Sequence, residues 1–325
     1  MDTQPLHLKP PIGFSDFREL RQAEPKRLYV DKSRLISEVL RDDAKVLLFP
    51  RPRRFGKTLN LSMLRYFLEK NEQDFSELFS DLEVWRDSLA RDHFQQYPTV
   101  FVTFKDIKER SFEQTFEGMR EVIRQIYHEH RHILNSPLLT DEQKARYQLL
   151  LHSGGSEIIV RRALLDLTEY LSIVHNQQVV LLIDEYDTPI QQGFLKGFYD
   201  EAVDFFRNFY AAALKDNVYL FRGILSGICE LLAKACFPAS TIWSFALSWT
   251  RSMPPALGSL RKKPCGLQGQ RINPGFEKRL NTGTMATSLA VKSYIIPGRF
   301  CGISKPAVSN PIGSQPALMS CCMNC

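Results

Sequence analysis

The sequence predicts an α/β fold, a mainly parallel sheet with helices on both faces. Three observations predict it. Short apolar runs recur at Lys45–Phe49, Thr99–Phe104, Val179–Ile183 and Val218–Gly227. Helical patterns separate these runs, which is the signature of parallel strands joined by crossovers. Two of the runs lead directly into residues able to do chemistry, as strands do at the carboxyl edge of such a sheet.

The elements follow in chain order. "KVLLF" (Lys45–Phe49) is short and apolar enough for a buried strand. From Gly56 onward, Leu61, Leu64, Phe67 and Leu68 recur at spacings of three and four, predicting a helix with one apolar face. "TVFVTF" (Thr99–Phe104) is a second strand, followed by a long helical stretch over Phe112–His130. The polar segment Pro137–Gly155 predicts loops or an excursion from the sheet. A helix near Glu157–Val174 leads into the apolar run of "VVLLIDEYD" (Val179–Asp187). Another, "DEAVDFFRNFYAAALKD", precedes the strand "VYLFRGILSG". No internal repeat is apparent.

A chain of 325 residues has room for one large or two medium domains. The polar, proline-rich start "MDTQPLHLKPP" has no signal-peptide pattern. No apolar run approaches the roughly 20 residues of a membrane span. A soluble, cytoplasmic protein is therefore expected. The average composition hides a division: all seven cysteines lie beyond Ile228. Of the 42 Lys/Arg and 36 Asp/Glu, 11 and two fall in residues 229–325, leaving 31 bases against 34 acids in residues 1–228. The overall charge of +6 thus belongs to the tail alone. It is a nucleic-acid footprint only if that tail is a real domain. The histidines show no zinc-ligand spacing with cysteine, so no metal beyond Mg²⁺ is expected.

The stretch "LLFPRPRRFGKTLNLSMLRYFL" (Leu47–Leu68) matches a phosphate-binding loop, G-x-x-x-x-G-K-[S/T], except that Arg51 occupies the first-glycine position. A triphosphate needs converging backbone N–H groups, a helix N-terminus and a cation near the β and γ phosphates. A strand, a turn and a helix opening at Gly-Lys-Thr supply all three. Gly56 allows close backbone approach, Lys57 reaches the phosphates and the Thr58 hydroxyl coordinates Mg²⁺. The candidate nucleotide-binding stretch is Arg53, Arg54, Phe55, Gly56, Lys57 and Thr58. Arg53 and Arg54 either add charge at the phosphates or pair with acids elsewhere. Taken alone, the loop also reads as a solvated basic turn.

The run Val179–Ile183 ends in Asp184 and Glu185, which places two acids at the same sheet edge as the loop. Asp184 suits a Mg²⁺ ligand, and Glu185 suits a group that polarises an attacking water. Ser226, closing the strand "VYLFRGILSG", either senses the γ-phosphate and positions water or is a plain turn serine. The loop and the acid pair together favour a nucleotide site.

These residues together resemble the AAA-ATPase-like family of prokaryotic proteins, often fused to a C-terminal PD-(D/E)XK nuclease-like domain. "IGFSDFREL" (Ile12–Leu20) and "YVDKS" (Tyr29–Ser33) look like its leading segment, "RPRRFGKT" like its phosphate loop with arginine in place of the first glycine, and "LLIDEYDTPI" like its second motif. The resemblance covers about residues 11–228. It implies an additional-strand P-loop NTPase core at residues 41–228, preceded by a leading segment at 1–40. It also implies ATP and Mg²⁺ as cofactors, with Lys57 and Thr58 binding phosphate and metal, Asp184 holding the metal and Glu185 as the catalytic carboxylate. "YVDKS" is expected near the nucleotide, without the motif saying which residue makes contact. A nucleic-acid partner is implied only by association with the nuclease-like domain. The activity expected is hydrolysis of ATP to ADP and phosphate by the protein in its intact form; a non-catalytic nucleotide-gated binding module is the alternative, and a truncated product that binds ATP without hydrolysing it is another.

After "SGI" the family would continue with a phrase like "LRVA…SLFSGLNN", whereas this chain reads "CELLAKACFPASTIW". Shifting the reading frame by one base permits "LFSGLNNL" from Ala235–Ile242, "FGFTEEE" from Ala256–Lys263 and "WYDGY" from Thr282–Thr287. It also permits "IYNPWSVL" from Ser293–Cys301 and "KPYWV" from Ser309–Ser314. These phrases stand in order and in one frame. The expectation is that residues 229–325 are translated out of frame and largely disordered, and that the cysteines there form neither a disulfide set nor a metal site.

Overall fold

The computed structural model describes residues 9–52, 55–153, 155–228 and 243–245. Arg53, Arg54 and most of the segment 229–325 lie outside them, and with them the expectations placed on those residues. The described elements begin with α1 (Phe17–Arg21), α2 (Arg34–Arg41), β1 (Val46–Pro50), α3 (Lys57–Leu68), α4 (Ser88–Asp92) and β2 (Thr99–Thr103). There follow α5 (Phe112–Glu129), α6 (Asp141–Ser153), α7 (Glu157–His175), β3 (Val179–Asp184), α8 (Thr188–Lys196), α9 (Tyr199–Leu214), β4 (Leu220–Gly227) and β5 (Trp243–Phe245).

The strands form one sheet in the order β2-β3-β4-β1-β5, with every neighbouring pair parallel. This is the α/β fold of a P-loop NTPase with an additional strand, because β4 stands between the phosphate-loop strand β1 and the acid strand β3. All six residues of β3 are buried, which explains its unbroken apolar run. Its side chains alternate between faces. Val180 and Leu182 join Leu47, Ile224 and residues of α1, α2 and α3 in one core. Across the sheet, Phe104 meets Phe206 and Phe209 of α9 edge-to-face, and α9 packs on α7. Helices thus cover both faces.

Residues 9–40 pack into the first core. The backbone N–H of Phe17 donates to Ser62 Oγ at 2.9 Å, and the Phe17 ring stacks on Phe79. Arg222, on β4, fastens the next junction. Its guanidinium donates to the carbonyls of Val39 (3.3 Å), Leu40 (3.4 Å), Asp42 and Ala44 (3.2 Å), where α2 ends and the chain turns into β1. A cation on the last carbonyls of a helix satisfies orphan acceptors and complements the helix dipole.

One segment differs from expectation, and one short strand stands in the tail. Within Pro137–Gly155, expected as loop or excursion, the chain forms the 13-residue helix α6. Thr140 Oγ1 accepts from Gln143 N at 3.2 Å while Gln143 Oε1 accepts from Thr140 N at 3.0 Å, a reciprocal capping box. Tyr147 and Leu150 are the buried anchors of α6. At the other end, the three-residue β5 stands in the segment expected to be largely disordered. It runs along the open edge of β1, with Val46 opposite Trp243 and Leu48 opposite Phe245. An edge strand offers unpaired backbone groups to any extended tripeptide, whatever the reading of the rest of the tail. No helix among the described residues is long and apolar enough to cross a membrane.

Candidate nucleotide site

The register brings three strand ends to one edge. Phe49 lies opposite Ser226 and Pro50 opposite Gly227, while Ile183 lies opposite Leu225. Beyond β1 the chain is tied back to β4, the Arg51 N–H donating to the Gly227 carbonyl at 2.9 Å. Gly56 then turns the chain into α3 with φ 73°, a left-handed conformation that glycine adopts without penalty. A Cβ there would meet Lys32 Nζ at 3.8 Å and Asn60 Nδ2 at 4.0 Å. The space over Gly56 is therefore bounded by two nitrogen donors, which suits anionic oxygens.

Lys57 opens α3 and is buried. Its ammonium donates to the loop's own carbonyls, Arg51 O at 3.1 Å and Pro52 O at 3.4 Å. One residue on, Thr58 Oγ1 donates to Asp184 Oδ2 at 2.7 Å across 126 residues of sequence. Ser226 Oγ donates to the other oxygen, Asp184 Oδ1. Asp184 is 1% exposed. Burial pushes its carboxyl above the ordinary value, the hydroxyls of Ser226 and Thr58 pull it back, and the neighbouring Glu185 charge adds to the rise. A buried carboxylate held by two hydroxyls and facing a helix start is a donor set of the kind Mg²⁺ takes.

Glu185 adopts φ 51°, a strained conformation for a non-glycine residue. Its carboxylate accepts from Thr188 Oγ1 at 3.0 Å in the first turn of α8. Tyr186 and Asp187 behind it are fully buried. Asp187 Oδ2 accepts from the Ile228 N–H at 2.8 Å and from Gln191 Nε2 at 2.8 Å. The Tyr186 carbonyl accepts from Tyr210 OH at 2.7 Å.

The structure thus brings Gly56, Lys57, Thr58, Asp184, Glu185 and Ser226 to one sheet edge. Phe55 lies beside them, exposed, and Arg53 and Arg54 fall outside the described residues. Sequence reasoning assigned no role to Lys32, whose amine overlooks Gly56, or to Asp187, which anchors the exit of β4. The signals were present in "YVDKS" and "DEYD", but a motif does not say which way a side chain turns.

The sequence profile of the family described as "Predicted AAA-ATPase" matches residues 11–237. The chain belongs to the AAA-ATPase-like family. Membership implies a nucleotide-binding, ATPase-like domain over that span. The protein described as "Uncharacterized protein in vnfD 5'region" of Azotobacter chroococcum mcd 1 is 26% identical over 236 residues. The aligned region is 70% of this chain and 39% of that relative, so the chain spans about two-fifths of the relative's length. No solved structure matches the chain.

Proposed function

We propose that this member of the AAA-ATPase-like family binds ATP with Mg²⁺ through residues 41–228 and hydrolyses it to ADP and phosphate. The observation that carries the reading is the shared carboxylate: Thr58 of the phosphate loop and Ser226 of β4 both donate to Asp184. Three separate stretches of sequence meet at one buried acid, an arrangement a solvated basic turn has no need of. Mg²⁺ held by Thr58 and Asp184 would supply positive charge to the β and γ oxygens.

The chain's own groups have distinct tasks. Lys57 exchanges its contacts with the Arg51 and Pro52 carbonyls for phosphate oxygens, which are stronger acceptors because they are charged. The Thr58 hydroxyl would offer a lone pair to the metal while its O–H still donates to Asp184. Glu185, once freed from Thr188, orients a water and takes its proton. Ser226 donates to Asp184, which aligns the carboxylate and opposes the effect of its burial.

Titration calorimetry and phosphate release on two variants test this. Lys57→Ala removes a charge-assisted contact of about 1.5–3 kcal/mol and should weaken ATP about 10- to 100-fold. Glu185→Gln should keep ATP affinity and stop phosphate release. Unchanged affinity in the Lys57 variant sinks the site. Undiminished turnover in the Glu185 variant sinks the assignment of the base, and wild type that holds ATP without turnover replaces the hydrolase reading with a nucleotide-gated module or a truncated product.

A further inference from the structure

Lys32 sits in the turn that leads into α2, and its neighbours fix where it can go. Asp31 Oδ1 accepts from the Ser33 N–H at 2.8 Å, and Asp31 Oδ2 accepts from the Glu83 N–H at 2.8 Å. Ser33, fully buried, accepts from the Val84 N–H through its Oγ at 3.0 Å. The Lys32 carbonyl takes the Leu35 N–H at 3.0 Å, which starts α2. The residues flanking Lys32 are thus tied down to residues 83 and 84. The side chain between them crosses to α3, where its Nζ lies 3.8 Å from the position of a Gly56 Cβ.

We propose that Lys32 is a second polyphosphate-binding cation of this site, carried in by the turn before α2 and set over Gly56. The proposal rests on the reading of the site as one for a nucleoside di- or triphosphate. Lys32 is half-buried, and both burial and the Arg51 charge disfavour its ammonium form. Arg51 is itself partly buried, and burial lowers its pKa too. The Arg51 charge and the positive end of the helix dipole at Gly56 both disfavour a cation there. A ligand bearing several negative charges relieves that penalty, so the cost in the free protein becomes affinity for an anion.

The assignment accounts for the shape of the leading segment. Asp31 and Ser33 direct their side chains into backbone N–H groups at residues 83 and 84. That arrangement serves rigidity, and rigidity in this turn serves the placement of Lys32 over the loop.

The test uses the full 325-residue chain, wild type beside Lys32→Met and Lys32→Arg, titrated with Mg·ATP and Mg·ADP. In parallel, wild-type amines are acylated with and without nucleotide, and Lys32 labelling is read by peptide mass. Loss of one charge-assisted contact should weaken both nucleotides about 10- to 100-fold in Lys32→Met. Lys32→Arg, keeping the charge, should recover most of that loss, and nucleotide should slow Lys32 acylation. Equal affinities with equal acylation rates overturn the proposal while leaving the site intact, provided Lys57→Ala still loses ATP. If wild type binds neither nucleotide, the site reading fails and the role of Lys32 with it.

Discussion

Thr58→Val probes the shared carboxylate with the least disturbance to everything else. Valine matches threonine in volume, branching and helix propensity, so the change deletes one hydroxyl and little more. What it removes is the 2.7 Å donor to Asp184 Oδ2, on a carboxylate only 1% exposed. No water replaces the lost donor easily at that depth. Leaving a buried charged acceptor short of one hydrogen bond costs about 1.5–3 kcal/mol. For a domain of this size each kcal/mol moves Tm by about 2–4 °C, so nucleotide-free Thr58→Val should melt about 3–12 °C below wild type. The pH dependence identifies the cause. Asp184 already has a folded-state pKa above its ordinary value, chiefly through burial. A raised acid favours folding when protonated, and that contribution is lost as pH rises through the folded pKa. Removing the Thr58 donor raises the pKa further, so the penalty should be largest at neutral pH and shrink toward acid. Urea unfolding at pH 7 and pH 5 reads both effects. A penalty under about 0.5 kcal/mol at pH 7, small for a buried charge-assisted bond, or one that grows toward pH 5, refutes the reasoning.

Two further tests concern other places in the fold. Gly227→Ala would put a Cβ 2.8 Å from both Asp187 Oδ1 and Tyr186 Cδ1 and closer still to Tyr186 Cε1. With the Tyr186 backbone pinned by Tyr210, overpacking should cost about 1–3 kcal/mol in denaturant unfolding, and the cost should fall in a Tyr186→Leu background if the ring is the obstacle. His130 has its pKa lowered to about 4, mainly by burial and then by His132, Arg65 and His175. The folded state therefore resists its protonation, so stability should drop by about 2–3 kcal/mol as pH falls from 6.5 to 4; His130→Gln should flatten that part of the stability–pH curve, and an unchanged curve rejects the assignment.

The strands that carry the site were legible because burial on both faces leaves unbroken apolar runs, as in Val179–Ile183, and because Gly-Lys-Thr marks a helix start. Asp184, Glu185 and Ser226 were legible as residues because each closes such a run. Their joining was not: the bond from Thr58 to Asp184 spans 126 residues, and only the sheet order decides that β4 lies between them. Helix α6 was missed for a different reason. Its first turns, Asp141–Arg146, are almost all polar and its large apolar residues crowd into Tyr147–Leu151, so no apolar stripe runs its length, yet the Thr140–Gln143 capping box was readable. Lys32 and Arg222 show the limit of local pattern. Both are cations in ordinary sequence contexts, and only the packed structure shows one above a glycine and the other across four carbonyls.

Inserting β4 between β1 and β3 has a mechanical consequence. Adjacent strands lie about 4.8 Å apart, so the phosphate-loop strand and the acid strand are roughly 10 Å apart and cannot touch through their backbones. Apart from the direct Thr58–Asp184 hydrogen bond, they communicate through β4. Ser226 donates to Asp184 on one side, and the Gly227 carbonyl takes the Arg51 N–H on the other. One residue later, Ile228 gives its N–H to Asp187. Three consecutive residues at the end of β4 are therefore each bonded to the phosphate loop or to the acid turn. A shift of either motif has no slack to dissipate into, since Tyr186 fills the space against Gly227. The exit of β4 is thus the point in the described fold where a displacement of the phosphate loop and one of the acid turn are felt together, and whatever segment continues from Ile228 starts from a position set by both.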